Sequence, residues 1–238
     1  MALFCKATHY LCRMGRKKLR RFVDNDKMVH VVEPSRAEVQ EELGLKGKWC
    51  TDHFQNNAPL VLELGCGKGE YTVAMARSFP EKNFIGIDIK GARIWYGAKQ
   101  VEEESLTNAA FLRTQIELIE GCFAPGEVDE IWITFPDPQI KLRRTKHRLT
   151  HPRQLAKYAR ILRPGGKLHL KTDSEFLHGY TLGVLENQTD FSVDTAYFDI
   201  DKQMTQKTDL LHTVQTHYEM MFREVGKSIT YLRCTRLP

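Results

Sequence analysis

The chain has 238 residues, 42% of them hydrophobic and 27% charged, with 35 Lys and Arg against 30 Asp and Glu for a net charge of +5. That length suits one domain of about 200 residues with a short appendage, large enough to hold a core without disulfide or metal staples, and the composition is too apolar for a disordered chain. No stretch approaches the roughly 18 uninterrupted apolar residues of a membrane helix, and the six scattered cysteines (Cys5, Cys12, Cys50, Cys66, Cys122, Cys234), without a C-x-x-C pair, read as reduced thiols in a cytoplasmic setting and not as a zinc site or disulfide framework.

In chain order, the first element is basic. Met1 to Lys27 carries eight basic and two acidic residues, and a second block, Gln139 to Arg163, carries nine basic residues and no acid. Together they hold +15, which leaves the rest of the chain at −10. Clustered Lys and Arg displace counterions from phosphates, so two such blocks on an acidic body predict a polyanion partner. The first 23 residues contain no acid, which fits a basic tail or an organellar presequence, and Met14 is a second candidate start. Residues 1–33 are read as a basic N-terminal extension, mobile to about Asp26 unless a partner orders it, and residues 34–238 as a single domain.

Ser35, with Glu38 three residues on, reads as a capping box that opens a helix bearing Val39 and Leu43 on one face. From Leu60 onwards short apolar runs alternate with helical periods. Strands are expected at Leu60–Leu64, Phe84–Asp88, Ala109–Arg113, Val128–Phe135, Lys167–Thr172, Phe191–Phe198 and Ile229–Arg233. Helices are expected up to Ser78 and over Ala92–Glu104, His151–Leu162, Ser174–Glu186 and Tyr218–Val225, with 199–214 as a long polar loop. This alternation predicts an α/β fold with an open, doubly wound, mostly parallel sheet. Trp95, Tyr96 and Trp132 fall at core positions of their elements.

The turn Gly65-Cys66-Gly67-Lys68-Gly69 ends the first of these strands and opens a helix, where ligands of such sheets bind. Asp88, 19 residues past Gly69 at the end of the next strand, is placed to accept from ribose hydroxyls. The spacing is G-x-G-x-G and not the G-x-G-x-x-G of a dinucleotide site, and Glu63 just before it would repel a pyrophosphate but suits an amino or sulfonium group. That points to S-adenosylmethionine. No G-x-x-x-x-G-K-[ST] loop is present, so a P-loop NTPase is not indicated.

VLELGCGKGEYT, FIGIDIKGAR, FPDPQIKLRRTKHR, LKTDSEF and THYE resemble the bacterial tRNA (guanine-N7-)-methyltransferases, from about Met14 to Leu237. The segment Phe135 to Leu149 is the most specific part. The resemblance implies a Rossmann-like class I methyltransferase fold, with a seven-stranded mostly parallel sheet whose last strand is antiparallel. It implies methyl transfer from S-adenosylmethionine to N7 of a guanine in tRNA, the variable-loop guanine 46. By the same resemblance Glu63, Asp88, Gln115 and Asp137 stand at cofactor-contacting positions beside the loop glycines Gly65, Gly67 and Gly69. Lys141, Asp173 and the segment Thr216, His217, Tyr218, Glu219 stand at substrate-contacting positions. Gln115 replaces a frequent Asp, yet its carbonyl still accepts a bond from an adenine amino group; His217 replaces a commoner Lys.

Asp137 has a physical reading of its own. Pro136 and Pro138 flank it, so the carboxylate is held stiffly just past a strand end. Guanine N7 carries an in-plane lone pair, so no base is needed; alignment of the reactants and electrostatics suffice. Asp137 and Asp173 are the candidate catalytic residues, holding the guanine edge and offsetting the charge the purine gains. Lys141, Arg143, Arg144, Lys146 and Arg148 follow at the same sheet end, where the phosphate backbone of an extruded base must run, and Arg13 to Arg21 is a candidate clamp on the other side. His147 and His151 read as surface or phosphate contacts and Cys66 as a small filler, not a nucleophile. No metal, membrane or obligatory protein partner is implied. Two alternatives stay open: a class I methyltransferase acting on a small molecule or protein, and a non-catalytic RNA-binding subunit.

Overall fold

The computed structural model describes residues 18–204 and 210–238. In chain order its elements are α1 (a helix whose described part is 18–25), β1 (Val31–Val32), α2 (Arg36–Gln40), β2 (Leu60–Leu64), α3 (Glu70–Ser78), β3 (Asn83–Asp88), α4 (Gly91–Glu104), β4 (Ala109–Arg113) and β5 (Val128–Thr134). There follow α5 (Pro152–Ile161), β6 (Leu162–Thr172), α6 (Glu175–Glu186), β7 (Phe191–Tyr197), α7 (Ile200–Gln203), α8 (Leu210–Thr213), α9 (His217–Glu224) and β8 (Thr230–Arg236).

The strands lie in the order β1-β4-β3-β2-β5-β6-β8-β7. Every pair is parallel except β6 with β8 and β7 with β8, so the last strand in sequence runs against its two neighbours. The expected architecture therefore holds, with an eighth strand added at the edge. β1 pairs Val31 with Phe111 and Val32 with Leu112. Two residues are too few to show a period of two, which is why the sequence pattern misses it.

Alternation within each strand builds two cores. Leu60, Leu62, Leu64, Ile85, Ile87, Ala110, Leu112, Ile131 and Ile133 enter one cluster, while Val61, Phe84, Phe111 and Trp132 enter the other. Both faces are covered by helices, so these strands read as continuous apolar runs. β2 is the pivot: the order β4-β3-β2 on one side meets β5-β6 on the other, and the carboxyl ends at such a reversal form a crevice.

The N-terminal segment joins this body before residue 34. Arg21 donates to the Tyr96 hydroxyl at 2.6 Å and lies 5.1 Å and 4.5 Å from the Trp95 and Tyr96 ring centroids. Buried Asn25 donates to Glu33 and to the Gly91 carbonyl. Residues 18–33 thus pack on α4 and the sheet edge, while the earlier part of the expected extension lies outside the described residues. Tyr96 is correspondingly a surface platform, not a core residue. The expected loop 199–214 contains α7 and α8, each fixed by one buried side chain, Ile200 and Leu211; residues 205–209 lie outside the described set. β6 is longer than expected, because the Arg163-Pro164-Gly165-Gly166 turn is absorbed as an irregularity in the β5–β6 register between Val128 and Glu130.

Candidate active site

After Leu64 the chain bends sharply over the end of β3, the Gly65 and Cys66 amides both donating to the Ile87 carbonyl at 2.8 and 3.0 Å. Gly67 has φ 57° and open space where a Cβ would stand, so the loop presents bare backbone. Its N–H donates to Asp88 Oδ2 at 3.0 Å, and the Lys90 N–H donates to Asp88 Oδ1 at 2.8 Å. Asp88 therefore ties the two strand-end loops together, and each of its oxygens keeps capacity for a further donor. Gly69 does a different job from Gly67. It caps α3 with φ 74°, and a Cβ there would stand 2.5 Å from Phe111 Cε1; it is not among the residues lining the cavity.

Glu63 follows the period of β2. It shares the face of Val61, which looks toward α3, and only 2% of it is exposed. Oε2 accepts from the Thr72 N–H at 2.9 Å and from the Thr72 hydroxyl, and Oε1 accepts from the Thr134 hydroxyl at 2.6 Å. Three of roughly four lone-pair sites are filled, leaving one on Oε1. Burial outweighs these three donors and lifts the carboxyl from 4.5 to about 7, with nearby Asp88 adding to the rise. A carboxylate this far desolvated, at the wall of a cavity, is a receptor for a cation.

That cavity, about 490 Å³, is lined by Glu63, Gly65, Cys66 and Gly67 on one side and by Thr134, Phe135, Pro136, Asp137 and Pro138 on another, with Asp173, Thr216, His217 and Tyr218 among its other lining residues. The P-D-P turn is rigid for reasons beyond its prolines. Phe135 and Gln139, immediately outside it, both adopt left-handed backbone, with φ 46° and 47°, a costly state for such residues. The Phe135 N–H donates to the Lys171 carbonyl at 2.8 Å and the Gln139 N–H to Asp137 Oδ1 at 3.0 Å. Arg148 closes the loop from behind, donating to the Pro138 and Gln139 carbonyls at 3.2 and 3.1 Å while its guanidinium lies on Phe176 and Tyr180. Only 4% of Arg148 is exposed, so it is a clamp on the loop and not a phosphate contact. Lys141, Arg143, Arg144 and Lys146 are exposed as expected, Arg143 and Arg144 lining a shallow recess with Glu117, Gln139 and His147.

The substrate-side residues divide. Thr216 caps α9 by accepting from the Glu219 N–H at 3.2 Å, and the His217 N–H donates to Glu70 Oε2 at 2.9 Å, joining the starts of α9 and α3. Thr216, His217 and Tyr218 reach the cavity; Glu219 does not. Fully buried, Glu219 pairs with Lys171 at 2.7 Å, whose ammonium also donates to the Leu211 and Val214 carbonyls, so this pair anchors the segment that carries the other three. Asp173 lies at the cavity wall and accepts from Lys227 at 2.6 Å.

Gln115 lines a second cavity, of about 540 Å³, with Ile89, Arg113, Thr114 and Arg36, whose guanidinium donates to the Gln115 carbonyl. Ile89 and Lys90 are consecutive and line different cavities, while Asp88, at the end of β3 just before them, lines neither. Cys66 lines the main cavity, but burial and the neighbouring acids push its thiol well up, the opposite of an activated nucleophile. The sequence pattern does not single out Thr134, Phe135, Phe222 or Lys227 as cavity residues, although the first two adjoin the P-D-P turn; nothing local marks Lys227.

A family profile described as "Putative methyltransferase" matches residues 57–232. Over 222 residues the chain is 57% identical to a tRNA (guanine-N(7)-)-methyltransferase of Christiangramia forsetii, covering 92% of this chain and 98% of that protein. It is 50% identical over 195 residues to one of Porphyromonas gingivalis, covering 81% and 78%. Among solved structures the 16S rRNA methyltransferase KamB superposes with a TM-score of 0.59 at 16% identity, over 86% of this chain and 94% of that one, a likeness of fold.

Proposed function

The chain belongs to the tRNA (guanine-N(7)-)-methyltransferase family, and on that premise we propose that it transfers the methyl group of S-adenosylmethionine to N7 of a guanine in tRNA, forming 7-methylguanosine, at the variable-loop position 46 implied by the sequence resemblance. The observation that carries the reading is a single cavity walled by a desolvated carboxylate, bare glycine backbone and a rigid P-D-P carboxylate. These residues fit S-adenosylmethionine. Glu63 offers its remaining acceptor site to the α-ammonium, Gly65 and Gly67 let the backbone approach closely, Asp88 receives the ribose hydroxyls, and Gln115 receives the adenine in the second cavity. When bound, the cofactor supplies an electrophilic methyl: the N7 lone pair forms the new bond as the carbon–sulfur bond breaks, and the positive charge passes from sulfur to the purine.

The protein's own part is placement and charge. Asp137, fixed by Pro136, Pro138 and the Arg148 clamp, faces the purine as it becomes cationic. Asp173 holds the guanine edge, and Thr216, His217 and Tyr218 shape the entrance. Lys141, Arg143 and Arg144 take the phosphates beside the extruded base, and the loop-side cations Lys68, Lys90 and Arg93 at the same cavity add to them. Of the candidate clamp Arg13 to Arg21, residues 13–17 lie outside the described residues, and Arg21 is engaged with Trp95 and Tyr96. The enzyme acts in the cytoplasm on tRNA, without a required protein partner. Incubation with methyl-labelled S-adenosylmethionine and unmodified tRNA, followed by mapping of 7-methylguanosine, tests this. Label at guanine 46 is expected; label on small molecules or protein, or tRNA binding without transfer, would refute it in favour of the alternatives.

A further inference from the structure

Lys227 has no role in the chemistry described so far, yet it lines the cavity beside Asp137 and Asp173. Its position follows from how α9 ends. Val225 is the C-cap, Gly226 takes φ 74°, and the Gly226 and Lys227 amides donate back to the Arg223 and Phe222 carbonyls, each at 3.0 Å. This glycine-terminated reversal throws Lys227 off the helix toward the sheet. Asp173 is the first residue after β6, at the carboxyl end of the sheet. The two side chains meet at 2.6 Å through Asp173 Oδ2, and the Lys227 ammonium stands 4.6 Å from the Phe222 ring centroid. The pair is half in solvent on the lysine side and sheltered on the carboxylate side, with 49% and 15% of the side chains exposed.

A carboxylate next to an ammonium, side by side on one cavity wall, is a pattern of acceptor then donor. The Watson–Crick edge of guanine carries the complement: the N2 amino and N1–H donate, and the adjacent O6 accepts. Adenine presents the reverse, an acceptor at N1 and a donor at N6, and would meet the carboxylate and the ammonium with like against like. We propose that Asp173 and Lys227 act together as the reader of the extruded base, Asp173 accepting from N1–H and the N2 amino while Lys227 donates to O6. This rests on the methyl-transfer reading above and adds to it a specificity-determining residue, Lys227. The ion pair also fixes Asp173 at the cavity wall before a base arrives, so the site is formed in advance of the substrate.

The test pairs two substitutions with two target bases. Lys227→Met and Lys227→Arg are compared with the unaltered enzyme on full-length tRNA bearing either guanine or 2-aminopurine, which lacks both O6 and the N1 proton, at the target position; kcat/KM is followed together with tRNA affinity and S-adenosylmethionine affinity. With guanine, Lys227→Met is expected to lose tenfold or more in kcat/KM, the scale of one specific base contact, and Lys227→Arg to recover most of it. With 2-aminopurine the unaltered enzyme is expected to have suffered at least that loss already, since the N1–H contact to Asp173 goes with O6, and Lys227→Met to add almost none. Cofactor affinity stays unchanged throughout. An equal loss on both bases, or no loss on guanine, would overturn the assignment, the first result marking Lys227 as a strut for α9. Failure of the unaltered enzyme to label guanine tRNA at all would instead remove the methyl-transfer reading itself, and the base-reading role with it.

Discussion

Replacing Glu63 by Gln separates what this carboxylate costs the fold from what it gives the site. The ordinary carboxyl value of 4.5 rises to about 7 in the folded protein, a difference of about 3 kcal/mol at ~1.4 kcal/mol per pH unit. The folded state therefore holds the proton more tightly than the unfolded chain does. The associated stability is fully present below about pH 4.5 and is lost as pH climbs through about 7. Between pH 5.5 and 8 the cofactor-free protein should lose about 2 kcal/mol from this group alone. Gln has the same shape: its carbonyl can receive both Thr72 donors, and the Thr134 hydroxyl can turn to accept from its amide nitrogen. The variant should consequently gain on the unaltered protein by about 2 kcal/mol over that interval, read by urea unfolding at both pH values without cofactor. Its S-adenosylmethionine affinity should fall by about 30-fold or more, the scale of losing one member of a buried charge pair. The unaltered protein should bind cofactor more weakly below about pH 7, where Glu63 must first release a proton. A stability difference between the two proteins that does not change with pH would refute the reasoning.

Four further outcomes follow from the same geometry. Arg143→Gln with Arg144→Gln should weaken tRNA binding and lower the salt slope by about 2 in a filter-binding titration, with S-adenosylmethionine affinity unchanged; equal loss of both would mean misfolding. Asp137→Asn should lower kcat/KM by about 100-fold, and a value within a few-fold of the unaltered enzyme in single-turnover assays would remove Asp137 from the chemistry. Gly69→Ala puts a methyl 2.5 Å from Phe111 in a backbone with φ 74°, and should cost about 2 kcal/mol or more in denaturant unfolding. Lys171→Met removes the buried ammonium and leaves Glu219 with Arg223 alone as its charged partner, and should cost about 3 kcal/mol, of which Lys171→Met with Glu219→Leu should regain a part.

Much of the molecule was legible because the central strands are buried on both faces. Leu60–Leu64 and Ala109–Arg113 have the same limits in the sequence pattern and in the structure, since a short, mostly apolar run between polar segments has sharp ends. The Ser35 capping box was equally plain, with Glu38 Oε2 accepting from the Ser35 N–H at 2.7 Å. What escaped was set by distant neighbours. β1 is too short to carry a period, and the Pro164-Gly165-Gly166 stop signal is overridden by pairing on either side of it. In the site, Glu63, Asp137 and Asp173 stood out as acids at strand ends. Glu219 stood at a substrate position by resemblance and Arg148 among the phosphate-side cations, but their burial depends on Lys171 and on Phe176 and Tyr180, contacts that no local pattern announces. Lys227 became visible once α9 folded back.

The way the P-D-P turn is held bears on any attempt to transplant it. Neither proline fixes the two left-handed residues beside it; those depend on the Lys171 carbonyl and on the guanidinium of Arg148, ten residues downstream of Pro138. A tripeptide grafted into another scaffold would relax into an ordinary extended loop and its acid would swing free. The portable module is the whole stretch from Thr134 to Arg148, carried with a flanking strand to dock it and an aromatic ledge for the arginine to lie on.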